Sequence, residues 1–261
     1  MAQSAERKKR EEIVPKFSAA IITYNEESNI ERCLKAIQWI DEIVIVDACS
    51  SDKTVELCKK YTDKIYFNEF KDFSAQKNFA LSKCSHDWVL FIDADEEVSG
   101  ELKEKLRSLD VGSKAGYKVR RKTFMFKRLM KYGGHSLDAP LRIFDKNRGK
   151  FIQPIHEFFK IEGPVGFISE PIMHYSCADI KEHVEKINFY TDLEVHFLSE
   201  RKVNFCFIKF IFVPVARFLQ RYILQRGFLD GREGFIFYVK SGVYDFVKWF
   251  KYWDYSRKRQ K

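Results

Sequence analysis

The sequence predicts an α/β protein: a mostly parallel sheet with covering helices, followed by an amphipathic α-helical region at the C-terminus. Two observations predict this class. The first 110 residues alternate between strand-like and helix-like segments, the pattern of a parallel sheet with helical connections. Residues 181–261 instead place aromatic and basic residues at helical spacing. With 261 residues, of which 45% are hydrophobic, the chain can bury one sizeable core.

Charge divides the chain into three parts. Residues 1–16 form a charged arm without the apolar core of a signal peptide, so we expect the chain to begin in the cytosol. Residues 17–180 contain 25 Lys and Arg against 25 Asp and Glu, whereas residues 181–261 contain 16 against nine, with 20 of the 41 aromatic residues. We therefore place a domain boundary near residue 180. The six cysteines include no C-x-x-C pair and are assigned no function.

Seven segments of the first 110 residues alternate in type. Strands are predicted at residues 17–24, 43–46, 64–67 and 88–92, and helices at residues 28–39, 51–58 and 73–84. The fourth strand is uniformly apolar, as expected of a strand buried on both faces. Ligands of open α/β sheets bind beyond the carboxyl ends of such strands. The polar residues at these ends are therefore the candidate site.

Two carboxylates, Asp93 and Asp95, follow the fourth strand. They are two residues apart, so both can face one hard cation, and Mg²⁺ or Mn²⁺ is usually held by one or two carboxylates plus substrate phosphates. This pattern predicts a metal-bound diphosphate. The alternative is that the acidic residues cap a following helix.

Polar clusters also follow the first two strands, with Thr23 after the first and Asp47 after the second. Parallel strands bring these clusters to the same edge of the sheet. A nucleotide at that edge could bind Asp47 through its base or ribose and make polar contacts with Thr23. The alternative is that these residues are helix caps and turns.

At these positions the chain resembles the family 2 inverting glycosyltransferases, which have the GT-A fold. Four segments carry the resemblance, in family order: SAAIITYNEE at 18–27, VDACSSDKT at 46–54, QKNFAL at 76–81 and FIDADE at 91–96. A later His-Glu pair and the segment GFLDG at 227–231 make the chain similar to the bacterial lipopolysaccharide-core β-1,4-glucosyltransferase group. One departure is Ala48-Cys49, where many relatives carry Ser-Gly.

The resemblance implies a GT-A (Rossmann-like) catalytic domain at residues 17–180, with a nucleotide-binding half at 17–111 and an acceptor half at 112–180. It also implies the residues of the nucleotide pocket, which are Thr23, Asn25, Glu26 and Asp47. Asp93 and Asp95 would reach the ribose and a diphosphate bridged by the metal ion. Lys77 would add a positive charge nearby, or it is an ordinary residue of a helix surface.

An inverting transfer needs a base that removes the proton of the acceptor hydroxyl. His156 and Glu157 lie together in an apolar setting, where burial can raise a carboxyl pKa toward a useful range. We expect Glu157 to be the base and His156 to orient it or contact phosphate. The alternative is a salt bridge from Glu157 to a residue such as Arg142, with His156 in the core; Arg142 could instead bind diphosphate or an anionic acceptor. His135 and His174 are left out, since a lone histidine is more often simply packed.

Residues 203–224 and 235–253 are amphipathic on a helical projection. Basic residues opposite Trp, Phe and Leu are typical of a helix in a membrane interface, and the terminal RKRQK would attract anionic lipid. Lys209, Pro214 and Arg217 interrupt the first segment, which argues against a transmembrane span. The alternative is packing on the catalytic domain or on a second subunit of a homo-oligomer. Nucleic-acid binding is not expected, because the aromatic residues lie on the apolar faces.

These features predict a nucleotide-sugar-dependent enzyme bound peripherally at the cytoplasmic face of the inner membrane. The resemblance implies that it moves a hexose, glucose from UDP-glucose, with inversion onto a lipid-linked glycan, the heptose of the lipopolysaccharide inner core. A polyprenyl-phosphate sugar synthase is the alternative enzyme. A non-catalytic nucleotide-binding membrane scaffold is the alternative of another class.

Overall fold

The computed structural model describes residues 15–177 and 180–259, and it confirms the predicted α/β class. The first four strands are β1 (Phe17–Thr23), β2 (Glu42–Asp47), β3 (Ile65–Phe67) and β4 (Trp88–Phe91). They pair in parallel in the order β3-β2-β1-β4, so their carboxyl ends share one edge of the sheet. Apart from residues 15 and 16, the predicted charged arm lies outside the described residues.

Helices cover both faces of these parallel strands. They are α1 (Ile30–Ile37), α2 (Thr54–Cys58), α3 (Phe73–Lys83) and, after the acidic residues, α4 (Gly100–Arg107). Successive side chains of β1 enter different apolar clusters: Ala19 packs on the side of α1, and Ala20 packs on the side of α3. Burial on both faces explains the continuous apolar runs in the sequence.

The second half of the chain adds mainly antiparallel strands. They are β5 (Glu96–Val98), β6 (Gly116–Met125), β7 (Arg128–Leu129), β8 (Leu141–Asp145), β9 (Gly149–Ile152), β10 (Phe158–Ile161) and β11 (Val165–Cys177). The sheet continues from β4 through β8, β6 and β11 to β5, and β7 pairs with β6. β9 and β10 form a separate hairpin. Its residues Phe151 and Phe159 pack on Phe91 and Phe144, so the hairpin loop lies beside the end of β4.

Three helices complete the chain: α5 (Ile180–Glu200), α6 (Phe207–Leu219) and α7 (Gly231–Arg259). The predicted helix at residues 203–224 is α6 plus a π-helical turn, and the predicted helix at 235–253 lies within α7. α7 packs against both α5 and α6. Among the described residues, no helix is both long and apolar enough to cross a membrane.

The GFLDG segment joins these helices to the sheet. Asp230 is buried, and its carboxylate accepts hydrogen bonds from the backbone N–H groups of Lys131 and Tyr132 and from the Tyr238 hydroxyl. In the loop that contains Lys131 and Tyr132, Gly133 has a φ of +62°, and a Cβ at this position would lie 2.2 Å from the Tyr238 ring. Only glycine fits this close approach at a positive φ. The segment therefore anchors the loop before β8 to α7.

Candidate active site

Asp93, directly after β4, lies in a network of buried charges. Arg142 of β8 forms ion pairs with Asp93 and with Glu96, and Lys77 Nζ of α3 lies 3.4 Å from Asp93 Oδ1. Burial would raise the pKa of Asp93, but the charges of Arg142 and Lys77 hold that pKa far below its ordinary value. Asp93 is therefore ionised at neutral pH, and Arg142 is committed to two carboxylates.

Lys77 connects Asp93 to the predicted base. Its Nζ lies 2.6 Å from Glu157 Oε1, and its side chain passes over the rings of Phe91 and Phe151. Lys77 is buried, so it is not an ordinary residue of a helix surface. The structure thus brings three predicted site residues, Asp93, Lys77 and Glu157, into direct contact.

The hairpin between β9 and β10 presents His156 and Glu157 at this edge. The KNFAL motif holds the hairpin in place, because the Asn78 side chain donates to the carbonyl of Phe151 and accepts from its N–H. Glu157 forms the salt bridge of the alternative interpretation, with Lys77 as its partner in place of Arg142. His156 is not a core residue: its side chain is 74% exposed, and its Nε2 lies 2.7 Å from Glu194 Oε1.

Asp95 is the second carboxylate after β4, and it faces different partners. Its Oδ2 lies 3.4 Å from His174 Nε2 and 3.9 Å from Lys186 Nζ. Burial would raise the pKa of Asp95, but the charges of His174 and Lys186 lower it. Burial and the nearby charge of Asp95 together raise the pKa of Glu26 to about 7. Neither aspartate caps a helix, since β5 follows them and Ser99 caps α4.

This donor set fits a divalent cation. Asp95 and His174 offer a carboxylate and an imidazole on one side. The pKa of Glu26 is raised first by burial and then by the charge of Asp95, and a cation would relieve this second effect. Within the described ranges, no three His, Cys, Asp or Glu side chains are arranged to hold a metal ion. Phosphate oxygens of a substrate would therefore complete the coordination, as is usual for Mg²⁺.

The predicted nucleotide-pocket residues hold the turns after β1 and β2. Asp47 is fully buried and accepts hydrogen bonds from Thr23 Oγ1, at 2.9 Å, and from the N–H and hydroxyl of Ser50. Asn25 has a φ of +52° and accepts from the N–H of Ser51. These are the turn contacts of the alternative interpretation. Direct nucleotide contact by Thr23 and Asp47 stays a prediction, and neither side chain is accessible here.

Helix α5 contributes residues to the site that the sequence interpretation missed. Lys186, Tyr190 and Glu194 are four residues apart and therefore share one helical face. Lys186 faces Asp95, and Glu194 contacts His156. Burial and the charges of Asp95 and Asp93 raise the pKa of the Tyr190 phenol, whose ring stacks on Phe73. The spacing of these three residues is visible in the sequence, but nothing in it shows which surface they face.

The charged network extends from the site to β6 and to the loop before β8. Arg121 Nη1 of β6 lies 3.3 Å from Glu96 Oε1, and Arg121 Nε donates to Asp138 at 2.8 Å. Glu96 is completely buried between two arginines. The network therefore ties the residues after β4 to the loop that precedes β8.

Comparisons with known proteins identify the family of the chain. The family model for glycosyl transferase family 2 matches residues 18–123. The lipopolysaccharide core biosynthesis glycosyltransferase LpsC of Rhizobium meliloti is 31% identical over 90% of this chain and 92% of its own length. An uncharacterized glycosyltransferase of Rickettsia typhi is 30% identical over 90% of this chain and 85% of its own.

Among solved structures, residues 1–349 of S. aureus TarS in complex with UDP are similar at a TM-score of 0.47. That structure is 18% identical and covers 93% of this chain and 91% of its own. The two curated relatives share most of their length with this chain at about one identical residue in three. On that similarity, together with the family match over the nucleotide-binding half, the chain belongs to glycosyltransferase family 2.

Proposed function

We propose that this glycosyltransferase moves glucose from UDP-glucose, with inversion, onto the heptose of a lipid-linked lipopolysaccharide inner-core glycan. The observation that carries the reaction type is the continuous contact from Asp93 through Lys77 to Glu157. It joins the carboxylates after β4 to a carboxylate in the acceptor half. The relative LpsC is named for lipopolysaccharide core biosynthesis, which supports the choice of acceptor.

Glu157 acts as the base in this proposal. The acceptor hydroxyl oxygen forms a bond to the anomeric carbon as the bond from that carbon to the diphosphate breaks, and the bonding electron pair leaves with the diphosphate. Glu157 receives the hydroxyl proton. Lys77 holds Glu157 through Oε1. This contact orients the carboxylate toward the acceptor side.

The leaving diphosphate lies on the Asp95 side of the site. Asp95 and His174 would hold Mg²⁺ or Mn²⁺, and the ion would supply Lewis-acid stabilisation of the developing negative charge. Lys186 supplies a second positive charge within reach of the same region. Arg142 orients Asp93 toward the ribose and does not bind the acceptor, because both of its contacts are intramolecular carboxylates.

Turnover of nucleotide sugars by purified protein with Mn²⁺ tests the reaction. We expect selective use of UDP-glucose with heptose-terminated lipopolysaccharide, lost in Asp95→Asn and in Glu157→Gln. Glu104→Gln, an exposed glutamate on α4, is the matched control and should behave like the parent. Transfer to polyprenyl phosphate alone would favour the synthase alternative. UDP-glucose binding without turnover would favour the scaffold.

We further propose that the protein attaches peripherally to the cytoplasmic face of the inner membrane through α6 and α7. The outward faces of these helices are apolar, and the catalytic half does not cover them. The exposed large side chains there include Phe207, Ile208, Ile211, Phe212, Val215, Leu219, Phe235, Ile236, Val239, Val243, Phe246, Phe250 and Trp253. Lys209 and Arg232 are exposed beside them and suit an anionic lipid surface.

Flotation with vesicles of phosphatidylcholine, with and without phosphatidylglycerol, tests this attachment. We expect binding that increases with anionic lipid and is lost in the Phe212→Glu, Phe250→Glu double variant. Phe167→Glu, which changes an exposed aromatic residue of β11 in the catalytic half, is the control. A stable dimer in light scattering that the double variant abolishes, without vesicle binding, would show that these faces cover a second subunit instead.

A further inference from the structure

Glu194 of α5 is a buried carboxylate that contacts the hairpin of β9 and β10, which carries His156 and Glu157. Its Oε1 lies 2.7 Å from His156 Nε2 and accepts from the Tyr244 hydroxyl at 3.0 Å. Its Oε2 lies 3.5 Å from Lys248 Nζ. Only 8% of Glu194 is exposed. A carboxylate this buried is costly unless its partners satisfy it, and these partners come from the hairpin and from α7.

The segment that Glu194 holds has an unusual backbone. His156 has a φ of +54°, and Gln153, three residues earlier in the same loop, has a φ of +70°. Residues other than glycine adopt such values at a cost, and they keep them only where their surroundings impose the conformation. Glu157 follows His156 directly. Its direction therefore depends on what holds His156.

The contacts of Glu194 continue into the C-terminal helices. Lys248 Nζ lies 2.9 Å from Asp245 Oδ1, and Asp245 also forms an ion pair with Arg217 of α6. Charged residues of α5, α6 and α7 thus form a continuous series of ion pairs that ends at His156. This series of ion pairs links the helices proposed to meet the membrane with the hairpin that carries the proposed base.

We propose that Glu194 is a positioning residue for sugar transfer. It fixes His156 and thereby keeps the Glu157 carboxylate aligned with the acceptor hydroxyl. This inference rests on the proposed function of Glu157 as the base. The rival interpretation is that Glu194 only packs α5 against the hairpin. A packing contact acts on stability, whereas a positioning contact acts on kcat while nucleotide affinity stays unchanged.

The test compares Glu194→Ala and Glu194→Gln with Asp192→Asn, which removes an exposed charge of the same helix that is paired with Lys251 of α7. We measure glucose transfer from UDP-glucose to heptose-terminated lipopolysaccharide, UDP binding by calorimetry, and hydrogen exchange of residues 149–161. Glu194→Ala should lower kcat about 10- to 100-fold, leave UDP affinity unchanged and speed exchange in the hairpin. Glu194→Gln should recover most of kcat, because its amide oxygen still accepts from His156. Asp192→Asn should match the parent.

Two results would overturn the inference. One is that Glu194→Ala changes neither kcat nor the hydrogen exchange of the hairpin. The other is that Glu194→Ala and Glu194→Gln lose kcat equally, in proportion to their loss of thermal stability. If Glu194→Ala does not fold, Tyr244→Phe removes one of the same hydrogen bonds, and it should lower kcat less while leaving UDP affinity unchanged. A parent protein that transfers no sugar would refute the proposed function. Hairpin exchange would still show whether Glu194 fixes His156.

Discussion

The catalytic half and the C-terminal helices distribute their polar residues in opposite ways. In the sheet, Val89, Leu90 and Phe91 of β4 are completely buried. In α7, Asp245 is only 1% exposed, while Phe250 on the opposite face is 52% exposed. α7 also buries Tyr238 and Trp249, so it places large apolar side chains on its outward face as well as on its inward one. The strand keeps its apolar residues inside, whereas the helices have an apolar surface left to cover.

Both regions contain buried ion pairs. The two networks differ in the exposed fraction of the residues that pair with the central aspartate, Asp93 or Asp245. Around Asp93, the partner Arg142 is 5% exposed and Glu96 is completely buried. Around Asp245, the partner Arg217 keeps 43% of its side chain exposed, and the partner Lys248 keeps 13%. A charge that loses its partner costs most where water cannot replace that partner. Breaking the first network should therefore cost more than breaking the second.

Replacing Arg142 should have the largest effect. Arg142→Met leaves Asp93 and Glu96 with fewer countercharges in a buried site, so we expect a loss of about 3–5 kcal/mol in the free energy of unfolding, measured by urea denaturation. Transfer activity should also disappear, since Asp93 loses its orientation. Arg107→Met, at an exposed arginine of α4, should change stability by less than about 0.5 kcal/mol. Equal effects of the two variants would contradict the role of the network.

Breaking the network of the helices should cost less. Asp245→Asn keeps the shape of the side chain but weakens its contacts with Arg217 and Lys248, and we expect a loss of about 1–3 kcal/mol. Arg217 can turn to water, which limits the cost. Thermal unfolding in a mild detergent measures the loss. A loss larger than that of Arg142→Met would reverse the ranking of the two regions.

The parallel half of the fold was predictable, because its strands are short apolar runs that each end in polar residues. β11 was not predicted, and α5 was predicted only as part of a helical region at residues 181–261, without bounds of its own. β11 has no regular alternation of polar and apolar residues and contains Pro171, and α5 mixes charged and aromatic residues without one continuous apolar stripe. Both elements are determined by the surfaces on which they pack, and a local pattern does not reveal these surfaces.

The candidate site divides in the same way. Asp93 and Asp95 were found from their place after a strand, and Glu157 from its neighbours and the resemblance. His174 was considered and left out, and Glu194 was not considered, since each acquires its partner only through contacts between distant segments. Their charge and spacing in the sequence are ordinary. The partners of such residues become known only when the whole chain is folded.

The junction between the two regions should weaken in mild acid. His135 lies against Phe237 of α7, and burial and the charge of Arg221 lower the pKa of His135 from 6.5 to about 4. At a pH between about 4 and 6.5, His135 is protonated in the unfolded chain but not in the folded protein. The free energy of unfolding therefore falls as the pH decreases from about 6.5 to about 4. Thermal midpoints across this range should therefore decrease less in His135→Gln than in the parent. An identical pH dependence in both proteins would exclude His135 as the cause.

The smallest effect should come from the outward face of α6, and this prediction tests the comparison most directly. Ile208 is 67% exposed, so Ile208→Ala removes little buried area, and alanine is the better helix former. We expect a change within about 0.5 kcal/mol in urea unfolding without lipid, together with weaker binding to anionic vesicles. The same substitution at Ile143, completely buried in β8, should cost about 2–5 kcal/mol. Both variants lose the same atoms, so most of the difference comes from burial, and a smaller part comes from the preference of alanine for helices over strands. A cost at Ile208 comparable to that at Ile143 would mean that this face is already covered in the protein in solution, and the contrast between the two regions would not hold.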